Sequence, residues 1–250
     1  MLRDNHPPYP FPTIQEVVCE IYFRLGRRWE TSFYSEYLKK VEEQFPTFEP
    51  IAVPTAIHIE TRVGGELNMA LPTVIRYKHI SRDLFLQLSE SRIVVNVLPA
   101  YPGWGQVSED IRYAWNHLCQ ISQPVGIDRI GLRYINRIAR SVEGEMLGRW
   151  IAPNDYVPQA VLQARKGFSA QVSRRFSEED RIAVRVSDQT NDANELGAFI
   201  LDIDRITEKK IGSDEESLLE HATNLHDDVW NVFNSAKSDD LERLLQGEFL

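Results

Sequence analysis

Alternating polar and apolar residues predict several β-strands along this chain. The clearest runs cover residues 16–25, 125–140, 180–188 and 197–206, where charged side chains stand at every second or fourth position between apolar ones. Because successive side chains of a strand point to opposite faces, each run predicts a strand with one buried and one charged face. The charged positions are Glu16, Glu20 and Arg24, then Arg129, Arg133 and Arg137, then Arg181 and Arg185, and finally Asp202 and Asp204.

Apolar residues at helical spacing separate these strands. Leu218, Ala222 and Leu225 form one such stripe, and Ser108 and Ser238 stand where side chains cap the first turn of a helix. Helices are predicted at 29–45, 108–121, 143–150, 214–234 and 238–246, and further strands at 55–62, 66–70, 73–79, 83–89, 92–98 and 158–174. This order is typical of an α+β protein, with antiparallel sheets and long helices packed on one face.

The chain divides into an arm and two halves of similar order. Residues 1–13 contain four prolines, which predicts an extended arm whose aromatic residues Tyr9 and Phe11 pack against the body. Residues 14–123 and 124–250 each run strand, helix, antiparallel meander and helix. That shared order indicates a tandem duplication of one β-α-meander-α unit. No flexible linker separates the halves, so we expect them to pack as one body.

Composition and charge limit the classes of protein to which this chain can belong. The 250 residues carry 28 basic and 37 acidic side chains, a net charge of −9, which argues against general nucleic-acid binding. The two cysteines, Cys19 and Cys119, lack CxxC or histidine spacing and are expected to be buried and reduced. The sequence shows no signal-peptide pattern and no apolar run long enough to cross a membrane. We therefore expect a cytoplasmic protein without membrane contacts.

Three arginines form a row on one predicted strand. Arg129, Arg133 and Arg137 share a face, and Gly131 leaves room between the first two. Such a row can interleave with carboxylates of neighbouring strands as an ion-pair lattice, bind an anionic ligand or nucleic acid, or contact a protein. The acidic residues available for a lattice are Glu16, Glu20, Asp202 and Asp204.

The sequence contains no catalytic motif. It has no GxxxxGK[ST] or GxGxxG phosphate loop, no GxSxG nucleophile and no HExxH zinc motif. Asp202 and Asp204 flank Ile203 and could hold Mg²⁺ with a third carboxylate, but none stands at a suitable spacing. The helical segment at His226 is interpreted as a solvated face. These patterns predict no cofactor and favour a protein that is not an enzyme.

Four segments of the chain resemble one protein family. They are PYPFPTIQEVVCEIYF at 8–23, RIGLRYINRI at 129–138, FILDIDR at 199–205 and LHDDVWNVFN at 225–234. They are similar to an uncharacterised family of prokaryotic proteins of this length, distributed sporadically among bacteria and archaea. The resemblance implies a soluble protein carried in mobile or defence-type gene neighbourhoods, and it implies no activity and no catalytic residue.

Together these observations favour a non-catalytic binding or regulatory protein that acts by protein–protein contact. An antitoxin or an antiphage-defence component acts in this way. The predicted anion- or partner-binding residues are Arg129, Arg133, Arg137, Arg181 and Arg185, of which Arg129, Arg133 and Arg137 form the expected contact surface. The proline-rich arm, with Tyr9 and Phe11, is predicted to extend that surface.

Two other hypotheses remain open. The first is a phosphate- or nucleic-acid-binding protein, or a metal-dependent enzyme, that holds an anion with Arg133, Arg137 and Arg185. Asp202 and Asp204 then carry the metal. The second is a homodimer whose charged sheets face water.

Overall fold

The computed structural model describes residue 6 and residues 8–51, 74–189 and 196–248. In chain order the elements are β1 (Ile14–Leu25), α1 (Ser32–Val41), β2 (Thr47–Ile51), β3 (Val74–Lys78), β4 (Leu84–Ser89), β5 (Arg92–Val97), α2 (Trp104–Ser122), β6 (Pro124–Ala139), β7 (Ser169–Arg175), β8 (Asp180–Gln189), β9 (Ala198–Thr207), α3 (Glu215–Ala236) and α4 (Asp239–Leu245). The strands predicted at 55–62 and 66–70 lie outside the described residues.

Within the described residues, the nine strands form one sheet in the order β2-β3-β4-β5-β1-β6-β9-β8-β7. Every neighbouring pair is antiparallel. The α+β class with an antiparallel sheet is therefore confirmed. The expectation of a separate sheet in each half is wrong, because β1 and β6, the long strands of the two halves, pair with each other and join the halves into one sheet. The duplication stays a prediction.

The apolar face of the sheet forms the core together with the helices. Cys19, Ile21 and Phe23 of β1 are fully or almost fully buried, as the alternation predicts. The ring of Phe23 contacts Trp115 of α2 edge-on, with ring centroids 6.1 Å apart. α2 also packs against α3, and α3 packs against β6 and β9. The core is thus continuous across both halves.

Helix α2 begins four residues before the predicted start. The hydroxyl of Ser108 donates a hydrogen bond to the carbonyl oxygen of Gly105 at 2.9 Å, so Ser108 lies inside the helix and does not cap it. The residue before the helix is Gly103, whose φ of +92° is a conformation that favours glycine. The helix therefore begins at Trp104, directly after this glycine.

Other boundaries also differ from the prediction. Residues 158–174 do not form one strand, because Gln159–Gln163 form a short 3-10 helix and β7 begins only at Ser169. The helix predicted at 143–150 is a 3-10 turn at Leu147–Arg149. Strand β2, which contains Pro50, was not predicted; among the described strands it lies at the edge of the sheet, where a missing amide donor is tolerated.

Side-chain caps begin both helices of the C-terminal region, and the one at Ser238 agrees with the sequence prediction. The side chain of Ser238 accepts a hydrogen bond from the amide of Leu241 at 3.1 Å and so caps α4. Asp214 caps α3 in the same way through the amide of Ser217. Among the described helices, none is long and apolar enough to span a membrane.

Candidate functional site

The second face of the sheet carries charged side chains across its middle strands. Residues directly paired in an antiparallel sheet project to the same side, so Arg133 of β6 shares this side with Asp204 of β9, and Arg185 of β8 shares it with Asp202. We call this surface the charged face, and its members on β1, β6, β8 and β9 are Glu16, Glu20, Arg129, Arg133, Arg137, Arg181, Arg185, Asp202 and Asp204.

The strongest ion pair on the charged face joins Arg133 to Asp202. The Nε of Arg133 donates to Oδ1 of Asp202 and Nη2 donates to Oδ2, both at 2.7 Å. This parallel pair of bonds is the geometry in which arginine binds a carboxylate most strongly. The bonds from Asp202 raise the pKa of the Arg133 guanidinium. Both carboxylate oxygens of Asp202 are therefore already engaged.

Two further arginines of the charged face are paired. Arg129 lies 3.7 Å from the carboxylate of Glu20, with its guanidinium 4.8 Å from the ring centre of Tyr22. Arg181 donates to the carboxylate of Glu208 at 2.7 Å, and that bond lowers the pKa of Glu208. Part of the face is therefore the ion-pair lattice that the alternation of charges allows.

The two remaining arginines are exposed and unpaired. Within the described part of the chain, the guanidinium groups of Arg137 and Arg185 make neither a hydrogen bond nor an ion pair. A cation without an internal partner keeps its capacity to pair with a group from outside the chain.

A shallow cavity of about 200 Å³ lies beside Arg185. Its lining residues are Arg133, Gln171, Ala183, Arg185, Asp202 and Asp204. Asp204 is half-buried, and burial raises the pKa of its carboxyl group. Its carboxylate accepts no hydrogen bond from any described residue. The cavity therefore presents one unpaired cation and one unpaired acid next to each other.

The structure does not assemble a metal site on these aspartates. No group of three or more His, Cys, Asp or Glu side chains that could hold a metal ion occurs among the residues described. Asp202 is also occupied by Arg133. A cation at Asp202 and Asp204 would have to displace Arg133 and find its third ligand elsewhere.

The proline-rich arm packs on α3 and α4. The hydroxyl of Tyr9 donates to the carboxylate of Glu242 at 2.9 Å and accepts from the Nζ of Lys237 at 2.6 Å. Its ring stacks on Trp230 with centroids 5.8 Å apart. Phe11 is half exposed, and its amide donates to the carbonyl oxygen of Leu245.

The end of the arm meets β6 of the charged face, where the carbonyl oxygen of Thr13 accepts a hydrogen bond from the amide of Arg137 at 2.8 Å. Within the described residues, no hydrogen bond, ion pair or ring contact joins Tyr9 or Phe11 to the arginines of that face. Tyr9 and Phe11 therefore do not contact the arginine side chains, although the arm is hydrogen-bonded to Arg137 at Thr13.

Sequence reasoning missed a buried arginine behind the charged face. The side chain of Arg205 is 8% exposed, with Nε 2.8 Å from Oδ2 of Asp228 and Nη2 3.1 Å from Oδ1 of Asp180. It links β9 and β8 to α3. Its position in the strand could have predicted its burial. Arg205 follows Leu201 and Ile203 at every second residue, so it lies on the apolar face of β9.

Sequence reasoning also misplaced His226. It is 5% exposed and not solvated, and its ring stacks on Trp104 with centroids 4.4 Å apart. Its position between Ala222 and Val229 on the apolar stripe of α3 was the signal for burial.

Comparison with models of known protein families finds no match, and comparison with curated proteins finds none either.

Proposed function

We propose that this chain is a non-catalytic binding protein whose charged face contacts a protein partner. The regulatory member of a toxin–antitoxin or antiphage module acts through such a contact, and the cytoplasm is its proposed location. The observation that supports the proposal most strongly is the pair of exposed, unpaired arginines Arg137 and Arg185, which share the face with the paired Arg129, Arg133 and Arg181. Arginine is enriched at protein interfaces and frequently dominates their energetics.

The mixture of charges on this face supports a protein partner over a nucleic acid. Arg185 shares its cavity with Asp202 and Asp204, and carboxylates repel the continuous negative charge of a phosphate backbone. The net charge of −9 adds to that repulsion. A protein surface instead carries both signs and can place an acidic side chain at Arg185 and a basic one at Asp204.

We also propose that the two halves descend from one β-α-meander-α unit whose long helix packs on the apolar face of its sheet. The strand order supports this proposal. Outward from β1 it reads β5, β4 and β3, and outward from β6 it reads β9, β8 and β7, the corresponding strands of the second half.

A homodimer in which the charged face contacts a second copy of this chain is an alternative to a contact with a different protein.

The proposal is tested by a binding screen of the tagged, purified protein. The candidates are the products of the genes neighbouring its own and, separately, DNA, RNA and polyphosphate at about 50 and 200 mM salt. The Arg137→Glu/Arg185→Glu variant reverses the unpaired cations. The matched control, Lys39→Glu/Lys40→Glu, makes the same change in net charge at two exposed lysines on α1.

We expect one neighbouring gene product to bind the wild type and the control but not the arginine variant. Salt-sensitive binding of nucleic acid or polyphosphate that the arginine variant loses would replace this proposal with the anion-binding hypothesis. Self-association that the arginine variant abolishes would identify the homodimer.

A further inference from the structure

The cavity beside Arg185 is built around one small residue of β8. Ala183 stands between Arg181 and Arg185 on the charged side of this strand, and it is paired directly with Asp204 of β9. Ala183 is the smallest of the residues that line the cavity, and its methyl group leaves open the space that a longer side chain would fill. The cavity of about 200 Å³ therefore lies above Ala183, between Arg185 and Asp204.

The charges around this cavity balance, but two of them have no partner within the described chain. Arg133 and Asp202 neutralise each other through their two hydrogen bonds. Neither the guanidinium group of Arg185 nor the carboxylate of Asp204 makes a hydrogen bond or an ion pair with a described residue. The cavity thus offers a ligand one positive and one negative group.

These two groups stand at diagonal positions of neighbouring strands. Arg185 lies two residues after Ala183, which is the direct partner of Asp204. Diagonal neighbours of an antiparallel pair have Cα atoms about 7–8 Å apart, so a small molecule between the two side chains can contact both. A cavity of about 150 Å³ holds a benzene-sized molecule, and the space beside Arg185 exceeds that volume.

A ligand with a single charge is poorly matched to this cavity. An anion at Arg185 meets the carboxylate of Asp204 nearby, and a cation at Asp204 meets the guanidinium groups of Arg133 and Arg185. Burial also raises the pKa of the Asp204 carboxyl group, and an ammonium group beside it would compensate for the lost hydration. A molecule that carries both signs satisfies both side chains and leaves the balance of charge unchanged.

We propose that this cavity is a binding site for a small free zwitterion of the amino-acid type. The carboxylate of the ligand accepts hydrogen bonds from the guanidinium group of Arg185, and its ammonium group donates to the carboxylate of Asp204. The cavity lies within the proposed protein contact surface, but this inference does not rest on that function, because the described residues of one chain form the site.

The test is isothermal titration calorimetry of the full chain with glycine, β-alanine and γ-aminobutyrate, whose two charged groups stand progressively further apart. We expect at least one of them to bind saturably. The matched acid and amine that keep only one charged group are acetate and methylamine for glycine, propionate and ethylamine for β-alanine, and butyrate and propylamine for γ-aminobutyrate. Each should bind about tenfold or more weakly than its zwitterion, because it loses one charge-assisted hydrogen bond.

Four variants locate the site. Arg185→Gln and Asp204→Asn each remove one charged group and should weaken binding of the tightest zwitterion about tenfold or more. Arg175→Gln is the matched control, because Arg175 is an exposed arginine of β7 on the same side of the sheet but outside the cavity wall. Ala183→Leu fills the cavity without changing its charge and should abolish binding while the circular dichroism spectrum is unchanged.

The carboxyl group of Asp204 provides a direct spectroscopic signal. In protein labelled with ¹³C at its aspartate carboxyl groups, the resonance that Asp204→Asn removes belongs to Asp204. The pKa measured from that resonance should fall when the zwitterion binds, because an adjacent ammonium group favours the carboxylate.

The proposal is overturned if none of the three zwitterions binds saturably, or if a matched single-charge probe binds as tightly as its zwitterion. It is also overturned if folded Ala183→Leu keeps the affinity of the wild type, or if the pKa of Asp204 does not fall. The titration contains no protein partner, so its failure leaves the proposed protein contact to be decided by its own binding screen.

Discussion

Arg133 and Asp202 form a two-bond ion pair although they are not directly opposite each other in the sheet. The residue paired with Arg133 on β9 is Asp204, and the guanidinium reaches diagonally to Asp202, two residues away. Two aspartates of one strand therefore have different environments. Each carboxylate oxygen of Asp202 accepts a hydrogen bond, whereas Asp204 is half-buried beside the cavity and its carboxylate has no hydrogen-bond donor among the described residues.

This asymmetry predicts opposite effects for the same substitution. Asp202→Asn removes a charge-assisted pair and should lower the free energy of unfolding by about 1.5–3 kcal/mol. Asp204→Asn removes a carboxylate that burial disfavours, as its raised pKa shows, and should raise that free energy by up to about 1 kcal/mol. Urea unfolding at pH 7 measures the free energy of unfolding of both variants. Equal losses in the two variants would contradict the assignment of Arg133 to Asp202.

The buried Arg205 should be far more important to stability than an exposed arginine. Arg205→Met removes the partner of Asp228 and leaves Asp180 with Lys209 at 3.5 Å, and it should cost about 1.5–3 kcal/mol. Arg243→Met breaks an exposed pair with Glu248 and should cost less than about 1 kcal/mol. Denaturant unfolding of the two variants provides the comparison, and similar costs would show that Arg205 does not link β9 to α3.

The buried His226 should make stability fall in mild acid. Its pKa is lowered on folding from 6.5 to about 3, so the unfolded chain takes up a proton first as the pH falls. The contribution of the neutral His226 to the free energy of unfolding is complete above about pH 6.5. It decreases towards pH 3, by at most about 1.4 kcal/mol per pH unit. Unfolding curves between pH 7 and pH 5 should fall more steeply for the wild type than for His226→Phe. His6 remains in both proteins, and parallel curves would show that His226 is not buried neutral.

The hydroxyl of Tyr9 should hold the arm on the body. Tyr9→Phe removes its bonds to Glu242 and Lys237. Hydrogen exchange at the amide of Phe11, which is bonded to Leu245, should become up to about tenfold faster. Tyr156→Phe is the control, because the hydroxyl of this half-buried residue has no hydrogen bond to any described residue. Equal exchange in all three proteins would mean that the arm is held by its other contacts.

The alternation of charged and apolar residues was enough to predict the two faces of the sheet. Val17, Cys19 and Ile21 are buried, and Arg133 and Arg137 lie on the opposite face, as a period of two requires. Alternation cannot predict which strands become neighbours. That Arg133 meets Asp202 follows from the pairing of β6 with β9, which are far apart in sequence.

The misplaced residues have the same physical origin. His226 is next to two aspartates in sequence, a composition typical of a solvated face, and its burial comes from Trp104 and Tyr134 on distant elements. Pro50 indicates a break in structure when only its neighbours are considered. The edge position of β2, which makes that proline acceptable, is a property of the whole sheet.

The most direct test of the proposed function is the affinity of the neighbouring gene product for three forms of this protein, measured by isothermal titration calorimetry. We predict that Arg137→Glu/Arg185→Glu weakens binding about tenfold or more, and that Lys39→Glu/Lys40→Glu leaves the affinity within about twofold of the wild type. Equal affinities for all three proteins would contradict the account, because the charged face would then not be the contact surface.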